Sequence, residues 1–130
     1  MGIGIDIENI SRFKDLDFET NKGFYNKIFT ENEIKYCLSK SNPSEHFAAR
    51  YCAKESFIKA IDDKIGYKDI EIFIENNKPK IKVKGFNSIL SLTHNKDKAA
   101  AVVMAEKMEL LRPNFNYIIK GRFFVLKPIS

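Results

Sequence analysis

The sequence predicts an α+β fold: an antiparallel sheet with one long helix and several shorter ones. Three observations carry this. A period-two segment opens the chain, a single long helical stretch occupies 44–61, and the strands between 69 and 105 follow one another through short turns rather than through helices.

The elements follow in order. Residues 2–8 alternate, with Ile3, Ile5 and Ile7 on one face and Gly2, Gly4, Asp6 and Glu8 on the other, which predicts a strand with one buried face. The glycines leave bare backbone where another element can approach closely. Residues 11–28 mix polar and aromatic side chains and predict short helical turns. Thr30 followed by Glu33 is a capping box that opens a helix running to about Leu38. Ser41-Asn42-Pro43-Ser44 breaks the chain and caps the next helix, 44–61. Asp69 to Glu75 alternates as a strand, and Asn76-Asn77-Lys78-Pro79 turns it into a second strand through Val83. There Lys80, Lys82 and Lys84 alternate with Ile81 and Val83. This marks a solvated edge strand guarded against pairing, with anion binding as the alternative. Ser88 to Thr93 and Ala99 to Ala105 predict two more strands, and Asn116 to Leu126 a further hairpin around Lys120-Gly121.

A length of 130 residues is that of one domain, and a hydrophobic share of 44% supplies a core. No apolar run is long enough to span a bilayer. The start, MGIGIDIENI, lacks the basic region and cleavage site of a secretory signal, and Asp6 stands where a myristoylation motif needs Ser or Thr. Cys37 and Cys52 have no metal-ligand spacing and read as reduced thiols, so a cytoplasmic protein is expected. The net charge of +5 is uneven: residues 1–60 hold nine basic and nine acidic side chains, residues 61–130 thirteen and eight. That bias permits a nucleotide, an acidic protein or a nucleic acid as partner, and chooses none of them.

The chemistry-bearing residues fall in three segments. Winding 47–60 at about 100° per residue puts Phe47, Tyr51 and Ile58 in one apolar stripe. Lys54 falls within that stripe and Arg50 beside it; a lysine there must snorkel, find a partner or meet a ligand. Glu55 and Lys59 are one turn apart on the flank. They read either as a surface helix pair or as a carboxylate for a metal with an ammonium for phosphate oxygens. Asp6 is a carboxylate on a Gly- and Ile-rich strand, and Ser91-Leu92-Thr93-His94 ends another strand in a polar cluster.

Gly4-x-Asp6 with Arg12 six residues on, Lys54-Glu55-x-x-x-Lys59 on a helix, and Ser91-x-Thr93-His94 before a small-residue strand together resemble the 4′-phosphopantetheinyl transferase superfamily. The chain is similar to its single-domain holo-acyl-carrier-protein synthase branch. The resemblance covers about Gly2 to Lys107, so it implies a transferase domain over 1–107 and a C-terminal extension of unknown role over 108–130. It implies that fold and the Mg²⁺-dependent transfer of phosphopantetheine from coenzyme A to a serine of an acyl-carrier protein. Asp6 and Glu55 would be the metal ligands, with Glu55, Lys59 and Asp6 the catalytic set. Arg50, Lys54, Lys59, Thr93 and His94 would contact coenzyme A. Arg12 would touch the carrier protein, joined by Lys14, Lys22 and Lys27. The resemblance further implies a homotrimer with active sites between subunits, Asp6 and Glu55 facing across the join. Two departures stand out: Asp15, Asp17 and Glu19 offset the basic carrier-docking stretch, and Ile61-Asp62-Asp63-Lys64-Ile65-Gly66 replaces the family's Gly-rich loop.

The competing reading is a non-enzymatic basic nucleic-acid-binding module built on the 78–84 lysines. The aromatic residues are not interleaved with that run, and Asp6 and Glu55 would repel phosphates without a metal. Neither nucleic acid nor membrane is therefore an expected partner.

Overall fold

The computed structural model describes residues 1–110 and 126–128. β1 (Gly2–Asn9) leads into four helices: α1 (Ser11–Lys14), α2 (Lys22–Ile28), α3 (Glu31–Leu38) and α4 (Pro43–Ala60). A single 3₁₀ turn, Tyr67–Asp69, precedes β2 (Ile70–Glu75), β3 (Lys78–Val83), β4 (Phe86–His94) and β5 (Lys98–Leu110), and β6 (Leu126–Pro128) pairs with the end of β5. Apart from Leu126, the 116–126 hairpin lies outside the described residues. β5 runs on past residue 107 to Leu110.

The main sheet has the order β1-β5-β4 and is antiparallel throughout, as the α+β reading expects. β2 and β3 form a separate hairpin. Asn76 and Asn77 both take positive φ, 51° and 62°, the conformation that a two-residue hairpin loop requires. Glu75 stands opposite Lys78 and Glu71 opposite Lys82, so lysines of β3 meet opposite charges across the strand pair. The capping box on α3 forms as read: Glu33 N–H donates to Thr30 Oγ1 at 3.2 Å, and Thr30 N–H donates to Glu33 Oε1 at 2.8 Å.

Packing of α4 on β1 fixes the site. A Cβ on Gly2 would stand 1.7 Å from the Ala60 carbonyl oxygen, and one on Gly4 1.9 Å from that of Ser56. Only glycine lets strand and helix touch backbone to backbone here. Ser56 Oγ donates to the Ala101 carbonyl at 2.9 Å and ties the same helix to β5.

Two expectations based on hydropathy are corrected. The face of β1 buried within the chain is the glycine face, whereas Ile3, Ile5 and Ile7 are 63–69% exposed. Alternation locates a face but does not say which layer covers it. Similarly, α4 is covered on nearly every side rather than along one stripe: Phe47 through Lys54, Ser56 and Phe57 are all buried. On its N-terminal half it meets an aromatic cluster in which Tyr25 and Phe29 lie 4.7 and 4.9 Å from the Phe47 ring. Its C-terminal half packs Cys52, Ala53 and Phe57 against Ile70, Ile72 and Val103. Each large side chain so buried contributes on the order of 1.5–3 kcal/mol.

Candidate active site

The strand–helix seam gathers the acidic residues. Asp6 projects from the glycine face of β1, and Lys59, in the last turn of α4, donates to its Oδ1 at 2.9 Å and to the Ile5 carbonyl at 3.2 Å. The hydrogen bond to Asp6 raises the Lys59 pKa above the ordinary lysine value, so the ammonium is firmly charged. Glu55 lies one turn earlier on α4, half-buried, and its Oε1 accepts from the Tyr67 hydroxyl. Asp6, Glu55 and Lys59 are thus brought to one seam of one protomer. The cause is the glycine-permitted contact of β1 with α4.

The donor set suits a particular kind of cation. Two carboxylates offer hard oxygens and leave most of an octahedral shell to water and phosphate, which is how Mg²⁺ is commonly held. No group of three or more His, Cys, Asp and Glu residues gathers among the described residues, so a closed all-protein metal site is not what this seam builds.

Lys54 is not at this seam. Its ammonium is fully buried and donates to Glu33 Oε1 at 2.6 Å, to the Ile28 carbonyl at 2.7 Å and to the Tyr67 carbonyl at 2.9 Å. All three protons are used inside the protein, which corrects the implied role as a coenzyme A contact. Of the three fates open to a lysine in the helix stripe, it has found a partner. Glu33 Oε2 in turn accepts from Ile72 N–H at 2.8 Å, so the pair locks α3, α4 and β2 together. Burial lowers the Lys54 pKa and the Glu33 carboxylate opposes that shift.

Arg50, 2% exposed, sits a turn earlier. Its guanidinium lies 4.3 Å from the Tyr36 ring centroid and Nη1 donates to the His46 carbonyl at 3.3 Å, while Nε is buried without a partner. Burial, together with the charges of Arg50 and Lys40, lowers the His46 pKa, and His94 adds to the same effect. Arg50, His46, His94 and Lys40 therefore form a basic neighbourhood beside the N-terminal half of α4. Thr93 and His94 end β4 and are exposed.

Of the residues implied for carrier docking, Arg12 pairs with Glu8 at 3.4 Å and lies 4.9 Å from the Tyr51 ring centroid. Lys22 pairs with Glu19 at 3.1 Å, and Lys14 and Lys27 are exposed. Sequence reasoning missed Tyr67 and the second role of Glu33. The capping box made Glu33 visible, but nothing local tied it to Lys54, and Tyr67 had no motif to mark it.

Residues 2–105 match the family model of the 4′-phosphopantetheinyl transferase superfamily. The chain belongs to that superfamily. Within it, the chain is similar to the holo-acyl-carrier-protein synthase of Thermodesulfovibrio yellowstonii, 39% identical with 79% of this chain and 96% of that protein covered. The enzyme of the same name from Chlamydia trachomatis serovar D is 38% identical over 81% of this chain and 98% of its own. Among solved structures, the Bacillus anthracis holo-acyl-carrier-protein synthase in complex with CoA (3′,5′-ADP) superposes with a TM-score of 0.69. It is 32% identical, with 82% of this chain and 96% of that chain covered. The Helicobacter pylori enzyme in complex with coenzyme A gives 0.67 at 25% identity, over 79% and 98%.

Proposed function

We propose that this protein transfers the 4′-phosphopantetheine group of coenzyme A to a serine of an apo-acyl-carrier protein. The observation that carries the reading is the Lys59–Asp6 contact across the strand–helix seam, with Glu55 one turn away on α4, in a chain of this superfamily. The serine oxygen forms a bond to the phosphorus that bears pantetheine, the bond from that phosphorus to the bridging oxygen breaks, and 3′,5′-ADP leaves. Asp6 and Glu55 would hold Mg²⁺, and the bound cation would supply positive charge against that developing on the departing 3′,5′-ADP. Glu55 accepts the proton of the serine hydroxyl. Lys59, released from Asp6, provides a fixed positive charge for the phosphate oxygens. Arg50, Thr93 and His94 contact the phosphates and nucleotide of coenzyme A, the unpartnered Arg50 Nε supplying a buried donor. Arg12, Lys14, Lys22 and Lys27 face the carrier.

The reading includes a cytoplasmic homotrimer with active sites at subunit joins. Ile3, Ile5, Ile7 and Ile89, each at least 63% exposed, line one sheet face together with Met104. Such an apolar patch on a small protein favours burial against another copy. Thr93 lies on that same face two residues beyond Ser91, so a coenzyme A contact and the association surface adjoin.

The test is to incubate the protein with apo-carrier protein, coenzyme A and Mg²⁺ and to weigh the carrier by mass spectrometry. A phosphopantetheine adduct supports the reading, and its absence under conditions where a known transferase works refutes it. Glu55→Gln should fold and give no adduct.

A further inference from the structure

We propose that Tyr67 is a positioning residue for the transfer reaction, its hydroxyl holding the Glu55 carboxylate in working orientation; the inference rests on the role proposed for Glu55 above.

A half-buried glutamate on the flank of a helix has three side-chain torsions to fix before its oxygens can serve a cation or a proton acceptor. Groups that donate to a ligating carboxylate fix its orientation, and their removal typically costs about 10- to 100-fold in metal affinity or activity. Tyr67 is placed to do this from three sides. Its main-chain carbonyl accepts from the buried Lys54 ammonium at 2.9 Å. Its ring lies 5.8 Å from the Tyr51 ring, at an interplanar angle of 31°. Its hydroxyl donates to Glu55 Oε1. Because Lys54 and Glu55 are consecutive on α4, the residue that anchors the Tyr67 backbone and the residue that accepts its hydrogen bond belong to one turn of helix. The loop after α4 would otherwise be free to drift. Asp69 N–H closes the 3₁₀ turn on the Gly66 carbonyl at 3.0 Å, and β2 begins directly after it, its Ile72 N–H bound to Glu33.

This arrangement gives the buried Glu33–Lys54 pair a consequence at the catalytic seam. The pair sets the position of the Tyr67 backbone, and Tyr67 sets the Glu55 oxygens. A tyrosine that merely filled surface would move only stability when its oxygen is removed.

The experiment compares wild type with Tyr67→Phe, which keeps the ring. Transfer kinetics are followed by mass spectrometry, Mg²⁺ binding by calorimetry with 3′,5′-ADP present, and melting by circular dichroism. We expect kcat to fall about tenfold or more and Mg²⁺ affinity to fall similarly. KM for coenzyme A should stay within about twofold and Tm within about 3 °C. In a Glu55→Gln background the same substitution should leave Mg²⁺ affinity unchanged. Wild-type kcat and Mg²⁺ affinity in Tyr67→Phe would overturn the proposal. So would an equal loss of Mg²⁺ affinity when Glu55 is already Gln, or a rate loss that tracks a fall in Tm. If Tyr67→Phe does not fold, Tyr67→Gln, which keeps a donor, must bind Mg²⁺ more tightly than Tyr67→Leu; equal affinities would overturn it. A wild type that forms no adduct refutes the transferase reading instead, while the calorimetric comparison still judges Tyr67.

Discussion

Lys54→Met separates a structural lysine from a substrate contact. The wild-type ammonium has no exposure and gives its three protons to Glu33, Ile28 and Tyr67 oxygens at 2.6, 2.7 and 2.9 Å. Methionine keeps much of the stem volume and removes the charge. Glu33 then remains buried as a carboxylate with only the Thr30 and Ile72 N–H groups, each at 2.8 Å; the Ile28 carbonyl loses the lysine donor, and the Tyr67 carbonyl keeps only the Ile70 N–H. Breaking a buried pair by removing one partner costs about 3–5 kcal/mol. Against a total stability of about 5–15 kcal/mol that is a large fraction. At a few degrees per kcal/mol for a chain of this size, Tm should fall by about 10–20 °C. Urea unfolding should show the same loss as a lower midpoint with an unchanged slope. Adding Glu33→Gln should recover part of it, because no buried charge is then left without a partner. At temperatures where the variant is folded, KM for coenzyme A should stay within about twofold of wild type. A Lys54→Met protein that melts within about 2 °C of wild type but raises that KM tenfold would refute the reasoning and return Lys54 to the phosphate site.

Other outcomes follow from the same geometry. Gly4→Ala drives a methyl group to 1.9 Å from the Ser56 carbonyl, so it should cost at least the 1–3 kcal/mol typical of an overpacked core; a Tm equal to wild type would show that β1 and α4 are not in backbone contact. Burial pushes the Cys37 and Cys52 thiols up to about 12, so at pH 8 only about one thiol in ten thousand is ionised and Ellman's reagent should react only after unfolding. The unfolded thiols lose their protons near 9, so between 9 and about 12 the unfolded chain binds fewer protons and stability falls as pH rises. Cys37→Ala should flatten that decline, and an unchanged pH slope would contradict the burial argument. Ile5→Glu should convert the assembly to monomers in sedimentation velocity, whereas an unaltered assembly would show that the isoleucine face is not its contact.

Local signals made much of the fold legible. Period-two alternation, the Thr30–Glu33 box and the Asn42-Pro43 break located β1, α3 and α4 within a residue or two, because each depends on neighbours in sequence. The Asn76-Asn77 turn was legible for the same reason. The covering of each face was not. Ile3, Ile5 and Ile7 look like core from hydropathy, yet the bare backbone of Gly2 and Gly4 decides which side α4 occupies. Lys54 posed the same problem in reverse. Its place in an apolar stripe was evident, but its partner lies 21 residues away on another helix, a distance that no helical spacing rule spans. The motif resemblance picked out Asp6, Glu55 and Lys59, whereas Tyr67 emerged only from the contact it makes.

The central claim is that Asp6 and Glu55 of one protomer hold a single divalent cation at the diphosphate of coenzyme A. Crystals grown with Mn²⁺ and coenzyme A and measured at the manganese absorption edge test it directly. One anomalous peak within about 2.5 Å of carboxylate oxygens from both residues is predicted, and it should vanish in Glu55→Gln. A peak bound elsewhere, or one that persists at full height without the Glu55 carboxylate, would contradict the account.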